Sequence, residues 1–277
     1  MMQTNGMRRG WVVVAVVVAL LALAGCRLAG GLDEEEAAVG APTVTVELTD
    51  AGLALPDEVP SGVVAFDLTA APGALPARLN EGVTLDQVNE ALAQPDPFAA
   101  LALVSLLGGA SNTTDGLLTV DLQPGEHVLV NFPEDGPPSV TPFTTGDDSD
   151  AAAPEADVTV DLVDFNFGIP AEVESGPKVW QINNKGTQWH EMGIVKLSEG
   201  ASVDDVLAML QSEEQPDGPP PFEEVAFWAP NSPGETGWVT WDLPPGEYTV
   251  ICFLPDLAGD MTPHAAHGMV AQLTVTE

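Results

Sequence analysis

Hydrophobic residues along this chain form one unbroken run and then settle into two rhythms. The run comes first: Trp11 to Ala24 is apolar throughout, 14 residues behind an Arg8-Arg9 pair. It is shorter than a bilayer-spanning helix and has the length of an export-signal core. Beyond it the commoner rhythm is alternation. Val158, Val160 and Leu162 exchange with polar neighbours, which predicts a half-buried strand. Thr249-Val250-Ile251 and Trp238-Val239-Thr240-Trp241 are short β-branched and aromatic runs of the same kind. The 25 prolines and 27 glycines punctuate these runs, so the pattern predicts a β-sandwich rather than a helical or α/β fold. The rarer rhythm is helical. Ser202 with Asp205 predicts a capped helix start, and Val203, Val206, Leu207 and Leu210 make its apolar stripe. Thr84, Gln87, Leu85, Val88 and Leu92 repeat that arrangement. Each stripe is expected to pack on its sandwich. The apolar stretch Phe98 to Leu107 predicts a further buried helix.

The pattern occurs twice. Val44-Thr45-Val46-Glu47-Leu48 is echoed by Val158-Thr159-Val160-Asp161-Leu162, and Arg78-Leu79-Asn80-Glu81-Gly82 by Lys196-Leu197-Ser198-Glu199-Gly200. Leu122-Gln123-Pro124-Gly125-Glu126-His127 is echoed by Leu243-Pro244-Pro245-Gly246-Glu247-Tyr248. Three echoes in one order predict two homologous domains, hence an all-β chain of two tandem β-sandwiches, each with an inserted helix. The expected boundaries are an export signal at 1–25, an acidic tether at 26–42, a first domain at 43–146, a linker at 147–156 and a second domain at 157–277.

Charge narrows the partners. The net charge is −35, and all 42 acidic residues lie beyond Cys26, opposed there by Arg27, Arg78, Lys178, Lys185 and Lys196 alone. Such a surface repels nucleic acid and anionic headgroups and suits basic partners. The acids are spread along the chain, which also fits adaptation to a salty medium. The apolar run ends in Leu23-Ala24-Gly25-Cys26, which resembles the prokaryotic lipoprotein box, in which the cysteine is lipidated. This implies an extracytoplasmic protein, in a periplasm or on a cell surface, anchored to the membrane by a lipid on Cys26. Cys26 and Cys252 are the only cysteines. With Cys26 lipidated, Cys252 has no disulfide partner in the chain, leaving burial as a small apolar residue or metal ligation.

The candidate chemistry lies in the second copy. Gly246 to Cys252 reads as a turn and a strand ending in cysteine. Pro263-His264-Ala265-Ala266-His267-Gly268-Met269 follows, and Asn183-Asn184 precedes His190 upstream. A thiolate, two imidazoles and a weak thioether suit copper that changes oxidation state. These residues resemble the plastocyanin/azurin family, the cupredoxins, in Gly246-x-Tyr248-x3-Cys252, in His264-x4-Met269 and in the asparagines before His190. The resemblance covers about Asp157 to Glu277, and 11 residues separate Cys252 from His264, a longer interval than in plastocyanin-like chains.

The resemblance implies Greek-key sandwiches and one type 1 copper ion on His190, Cys252 and His264, with Met269 axial. It also implies an electron port at a solvent-near edge of His264. His267 is expected at the rim of the site, His127 in a structural role and Met192 in packing. At constant offsets Pro72, Asn131 and Phe143 stand opposite His190, Cys252 and His264, so the first copy is expected to be metal-free. The implied function is one-electron transfer between redox partner proteins. A non-redox surface or binding module without functional copper is the alternative. An enzyme is not expected, because His127 and His267 alone remain for a second catalytic centre.

Overall fold

The computed structural model describes residues 40–49, 52–94, 97–132, 138–212 and 218–277. The export run, Cys26 and most of the tether lie outside the described residues.

In the first copy the strands are β1 (Thr43–Thr45), β2 (Glu47–Thr49), β3 (Gly52–Ala54), β4 (Glu58–Asp67), β5 (Ala74–Leu79), β6 (Val104–Leu106), β7 (Ala110–Ser111), β8 (Leu117–Leu122), β9 (Glu126–Asn131) and β10 (Ser139–Asp148). The second copy has β11 (Val158–Val163), β12 (Asn166–Gly168), β13 (Glu172–Glu174), β14 (Gly176–Asn184), β15 (His190–Leu197), β16 (Phe222–Asn231), β17 (Thr236–Leu243), β18 (Gly246–Ile251) and β19 (Val270–Thr276).

In the second copy one face runs β12-β11-β14-β17 and the other β13-β19-β18-β15-β16. The first copy repeats the order, with β1, β4 and β8 on one face and β10-β9-β5-β6 on the other. β1 and β4 pair in parallel as β11 and β14 do, and β4 and β8 antiparallel as β14 and β17 do. This is the all-β, tandem two-sheet architecture expected from the sequence.

A fourth echo escapes a reading by alternation. Glu58-Val59-Pro60-Ser61-Gly62 corresponds to Glu172-Val173-Glu174-Ser175-Gly176. Here the chain changes sheets: Glu58 to Ser61 pair in parallel with β10, and Glu172 to Glu174 with β19. Gly62 and Gly176 make the crossing at φ of 79° and 95°, a conformation that side chains disfavour.

The two copies are stitched together. β17 pairs with β8 through Gly237–Val120 and Trp238–Thr119. β7 adds itself to the edge of β16 through Phe227–Ser111 and Trp228–Ala110, which covers an otherwise open strand. Trp241 Nε1–H donates to the Ser111 carbonyl at 3.0 Å. One core cluster draws Phe66 and Leu118 from the first copy and Trp180 and Trp241 from the second. Burying each such side chain contributes roughly 1.5–3 kcal/mol.

Both predicted helices form, α1 (Leu85–Leu92) and, later in the chain, one at Val203–Gln211. Thr84 with Gln87 and Ser202 with Asp205 complete reciprocal capping boxes. The stretch Phe98 to Leu107 departs from expectation. Only its start is helical, in α2 (Pro97–Leu101), and Val104–Leu106 is β6, paired with β5. A free sheet edge outcompetes continuation of so short a helix. The helix Val203–Gln211 is α3.

Strand register corrects one internal correspondence. Ala74 pairs with Asn131 and Gly193 with Ile251, so Asn131 does stand where Cys252 stands. Phe143, however, faces His127 while Leu273 faces Tyr248. Phe143 is therefore the counterpart of Leu273, not of His264. The loop before the last strand is shorter in the first copy, and a constant offset does not survive that change of length.

Candidate metal centre

Four elements deliver the candidate ligands. His190 opens β15, and Cys252 follows directly on β18. His264 begins a 3-10 turn, His264–His267, and Met269 directly precedes β19. His190, Cys252 and Met269 have no exposed surface and His264 has 1%. One ligand atom each from His190, Cys252 and His264 lies within 4.8 Å of the others. Cys252 Sγ is 3.4 Å from His264 Nδ1, and the two imidazoles are 5.0 Å apart between centroids.

The backbone of the long loop is zipped rather than loose. Cys252 N–H donates to the Met269 carbonyl, and the Cys252 carbonyl accepts from Ala265. His264 N–H donates to Leu254 at 2.7 Å, and Met269 N–H to His264 at 3.0 Å. Pro255 and Pro263 bridge the loop, so the extra residues form a closed turn beyond the ligands. Met269 is thus held between Cys252 and His264 by its own peptide groups.

Two residues absent from the motif complete the site. Asp164 and Phe165 form the turn between β11 and β12. Asp164 Oδ1 is 3.0 Å from His190 Nε2. Burial acts to raise the Asp164 pKa, but the Thr187 hydroxyl and amide and His190 together bring it down to about 2. Asp164 is therefore a carboxylate, Nε2–H is the donor, and His190 Nδ1 keeps its lone pair. That Nδ1 is buried and has no hydrogen-bond partner, as expected of an atom that faces a metal. Phe165 packs edge-on to His264 at 5.1 Å and against His267 at 4.6 Å.

The approach to His190 is arranged by Asn184. Its side-chain amide donates to the carbonyls of Gln188 and Asn231, and its oxygen accepts from Gly186 N–H. A Cβ on Gly186 would fall 2.5 Å from His190 Nε2 and 2.6 Å from Asp164 Oδ1, so only glycine allows that close approach.

Burial sets the protonation states. It lowers the His190 pKa against the pull of Asp164, and it lowers that of His264 to about 4, aided by His190. Both imidazoles are neutral near pH 7, the form that binds metal. Burial, then the neighbouring Glu191, pushes the Cys252 thiol well up, so the proton leaves only when a cation replaces it. Glu191 is itself wholly buried and raised to about 8 by that burial, with one oxygen accepting from Phe253 N–H at 3.1 Å.

A neutral donor, a thiol and a second neutral donor converge in a buried site, with His190 already held from outside by Asp164. This donor set fits copper or zinc better than a hard ion. The expected electron port needs correction: His264 is shielded, and His267 and Phe165 form the rim instead. His267 lies there as expected, with its side chain 30% exposed. Met192 is buried in the core. No signal in the spacing pointed to Asp164, which precedes His190 by 26 positions.

No family model and no curated protein sequence matches the chain. Among solved structures it is similar to auracyanin B, at 20% identity over 46% of this chain and 94% of that one, with a TM-score of 0.31. Auracyanin from Roseiflexus castenholzii matches at 21% identity over 44% of this chain and 100% of that one, at 0.31. A copper-containing nitrite reductase from Thermus scotoductus matches at 13% identity over 84% of this chain and 61% of that one, at 0.24. A multicopper oxidase matches at 11% identity over 84% of this chain and 88% of that one, at 0.26. The presence of such enzymes corrects the expectation that the chain is not one. That expectation rested on counting histidines, which speaks only of centres built from histidine within a single chain.

Proposed function

We propose that the chain binds one type 1 copper ion, which His190, Cys252, His264 and Met269 would hold, and passes single electrons between redox proteins. The convergence of two neutral imidazoles and the lone thiol in one buried site carries this reading. Copper bound there supplies a one-electron couple. The residues do the rest. Asp164 orients His190 and keeps its proton on Nε2. The zipped loop restrains Cys252, His264 and Met269 as the charge of the site changes. Phe165 and the apolar core exclude water.

The copper belongs to the second domain, 157–277. The first domain, 43–146, carries none, since Pro72 and Asn131 supply neither imidazole nor thiolate there. A lipid on Cys26 holds the protein to the membrane outside the cytoplasm. Its acid-rich surface favours basic redox partners at low salt, an attraction that salt screens.

Copper titration with visible spectroscopy tests the site. The wild-type chain should gain an intense thiolate–copper band that Cys252→Ser abolishes, because a hydroxyl cannot replace the soft thiolate. Copper uptake without that band would reject electron transfer in favour of a non-redox module. Metabolic lipid labelling tests the anchor, and labelling that persists in Cys26→Ser would reject it.

A further inference from the structure

The turn that extends the loop beyond Cys252 holds a second set of metal-binding side chains. Asp256, Asp260 and His267 each offer one ligand atom, all within 4.8 Å of one another. His267 Nε2 lies 3.3 Å from Asp260 Oδ1 and 3.8 Å from Asp256 Oδ2. None of the three belongs to the buried cluster of His190, Cys252 and His264. We propose that they form a separate site for a divalent ion of the zinc class, at the rim of the molecule.

The side chains are set in place by their own backbone. Gly259 and Met261 N–H both donate to the Asp256 carbonyl, at 3.2 and 3.0 Å. Asp260 Oδ1 accepts from Thr262 N–H at 2.9 Å. His267 ends the 3-10 turn with its ring against Phe165. A Cβ on Gly259 would lie 2.1 Å from Asp256 Oδ2, so the turn closes onto that carboxylate.

Asp256 supplies the second observation. Its side chain is 13% exposed, and its Oδ1 is shielded with no hydrogen-bond partner. A carboxylate oxygen without donor or water is costly. Among the described residues His267 is the one basic side chain at ion-pair distance from either aspartate. A protonated His267 can bridge them, but with His267 30% and Asp260 65% exposed that pairing is weak, and it leaves Asp256 Oδ1 unserved. A bound cation supplies the missing positive charge to both carboxylates.

The donor set selects the ion. One imidazole and two carboxylates suit zinc and its neighbours, whereas calcium and magnesium prefer oxygen alone. Three protein ligands leave a coordination position for water.

Zinc titration by calorimetry on the full chain tests this, with histidine side-chain NMR as the direct readout. The wild type should bind a zinc equivalent that survives Cys252→Ser and shifts the His267 ring resonances. Asp260→Asn and His267→Gln should each weaken it by about tenfold or more, while the copper band stays in Asp260→Asn. Both positions are on the surface, and thermal melts check that the variants fold. Zinc uptake unchanged in those variants, uptake lost in Cys252→Ser, or no uptake by the wild type would overturn the proposal. None of these outcomes depends on whether copper binds at Cys252.

Discussion

Asp164 Oδ1 accepts a 3.0 Å hydrogen bond from His190 Nε2–H, joining the turn between β11 and β12 to the first residue of β15. The bond fixes which imidazole nitrogen is free. It also ties a candidate ligand to a carboxylate that the motif does not contain.

Asp164→Asn keeps the shape but weakens the acceptor and loses the charge. Copper affinity should fall about 10–100-fold, the usual effect of removing an outer-shell carboxylate. The thiolate band should remain, because Cys252 is untouched. Competition with a chelator of known affinity measures the first, and visible spectroscopy the second.

Gly186→Ala should be worse than its single methyl suggests. The new Cβ meets His190 and Asp164 within 2.6 Å, so the Asp164–His190 bond must open or the loop must move. Weaker copper binding and a lower Tm are expected together. Gly200→Ala, at a glycine with nothing within 4 Å, tests strain at φ 80° alone and should leave copper affinity unchanged.

Met269→Leu should keep the colour and raise the reduction potential. Met269 is buried and its backbone accepts a hydrogen bond from Cys252 N–H and donates one to the His264 carbonyl, so leucine can occupy its volume. Losing a weak sulfur donor disfavours the oxidised ion. A potentiometric titration followed at the thiolate band reads the change.

His127 predicts an acid-sensitive fold. Burial lowers its pKa to about 4, with Arg78 adding to that and the bond to Gly125 opposing it. Its ring stacks on Phe143 at 5.3 Å. The unfolded chain binds this proton near pH 6.5, and the folded chain only near 4. Stability should therefore be full above about 6.5 and fall as pH drops towards 4, by up to about 3 kcal/mol from this group. His127→Phe should flatten that slope in denaturant titrations at several pH values.

Much of this protein is determined locally. Alternation gives the strands, capping boxes give the two helices, and the repeated segments give two copies of one sandwich. His190, Cys252 and His264, which the fold brings together, could be picked out as candidates because each sits on a short motif. The tertiary structure alone decided the rest. Val104–Leu106 became a strand because β5 offered an edge, and apolar periodicity cannot tell that from helix. Asp164 and Phe165 reached the centre through sheet pairing and loop closure, which leave no fixed spacing to read. Phe143 fell opposite Leu273 because register follows hydrogen bonds rather than residue counts. The shielding of His264 depends on an aromatic ring from another hairpin. Spacing records which side chains exist, whereas burial and the orientation of lone pairs arise only when distant strands close around them.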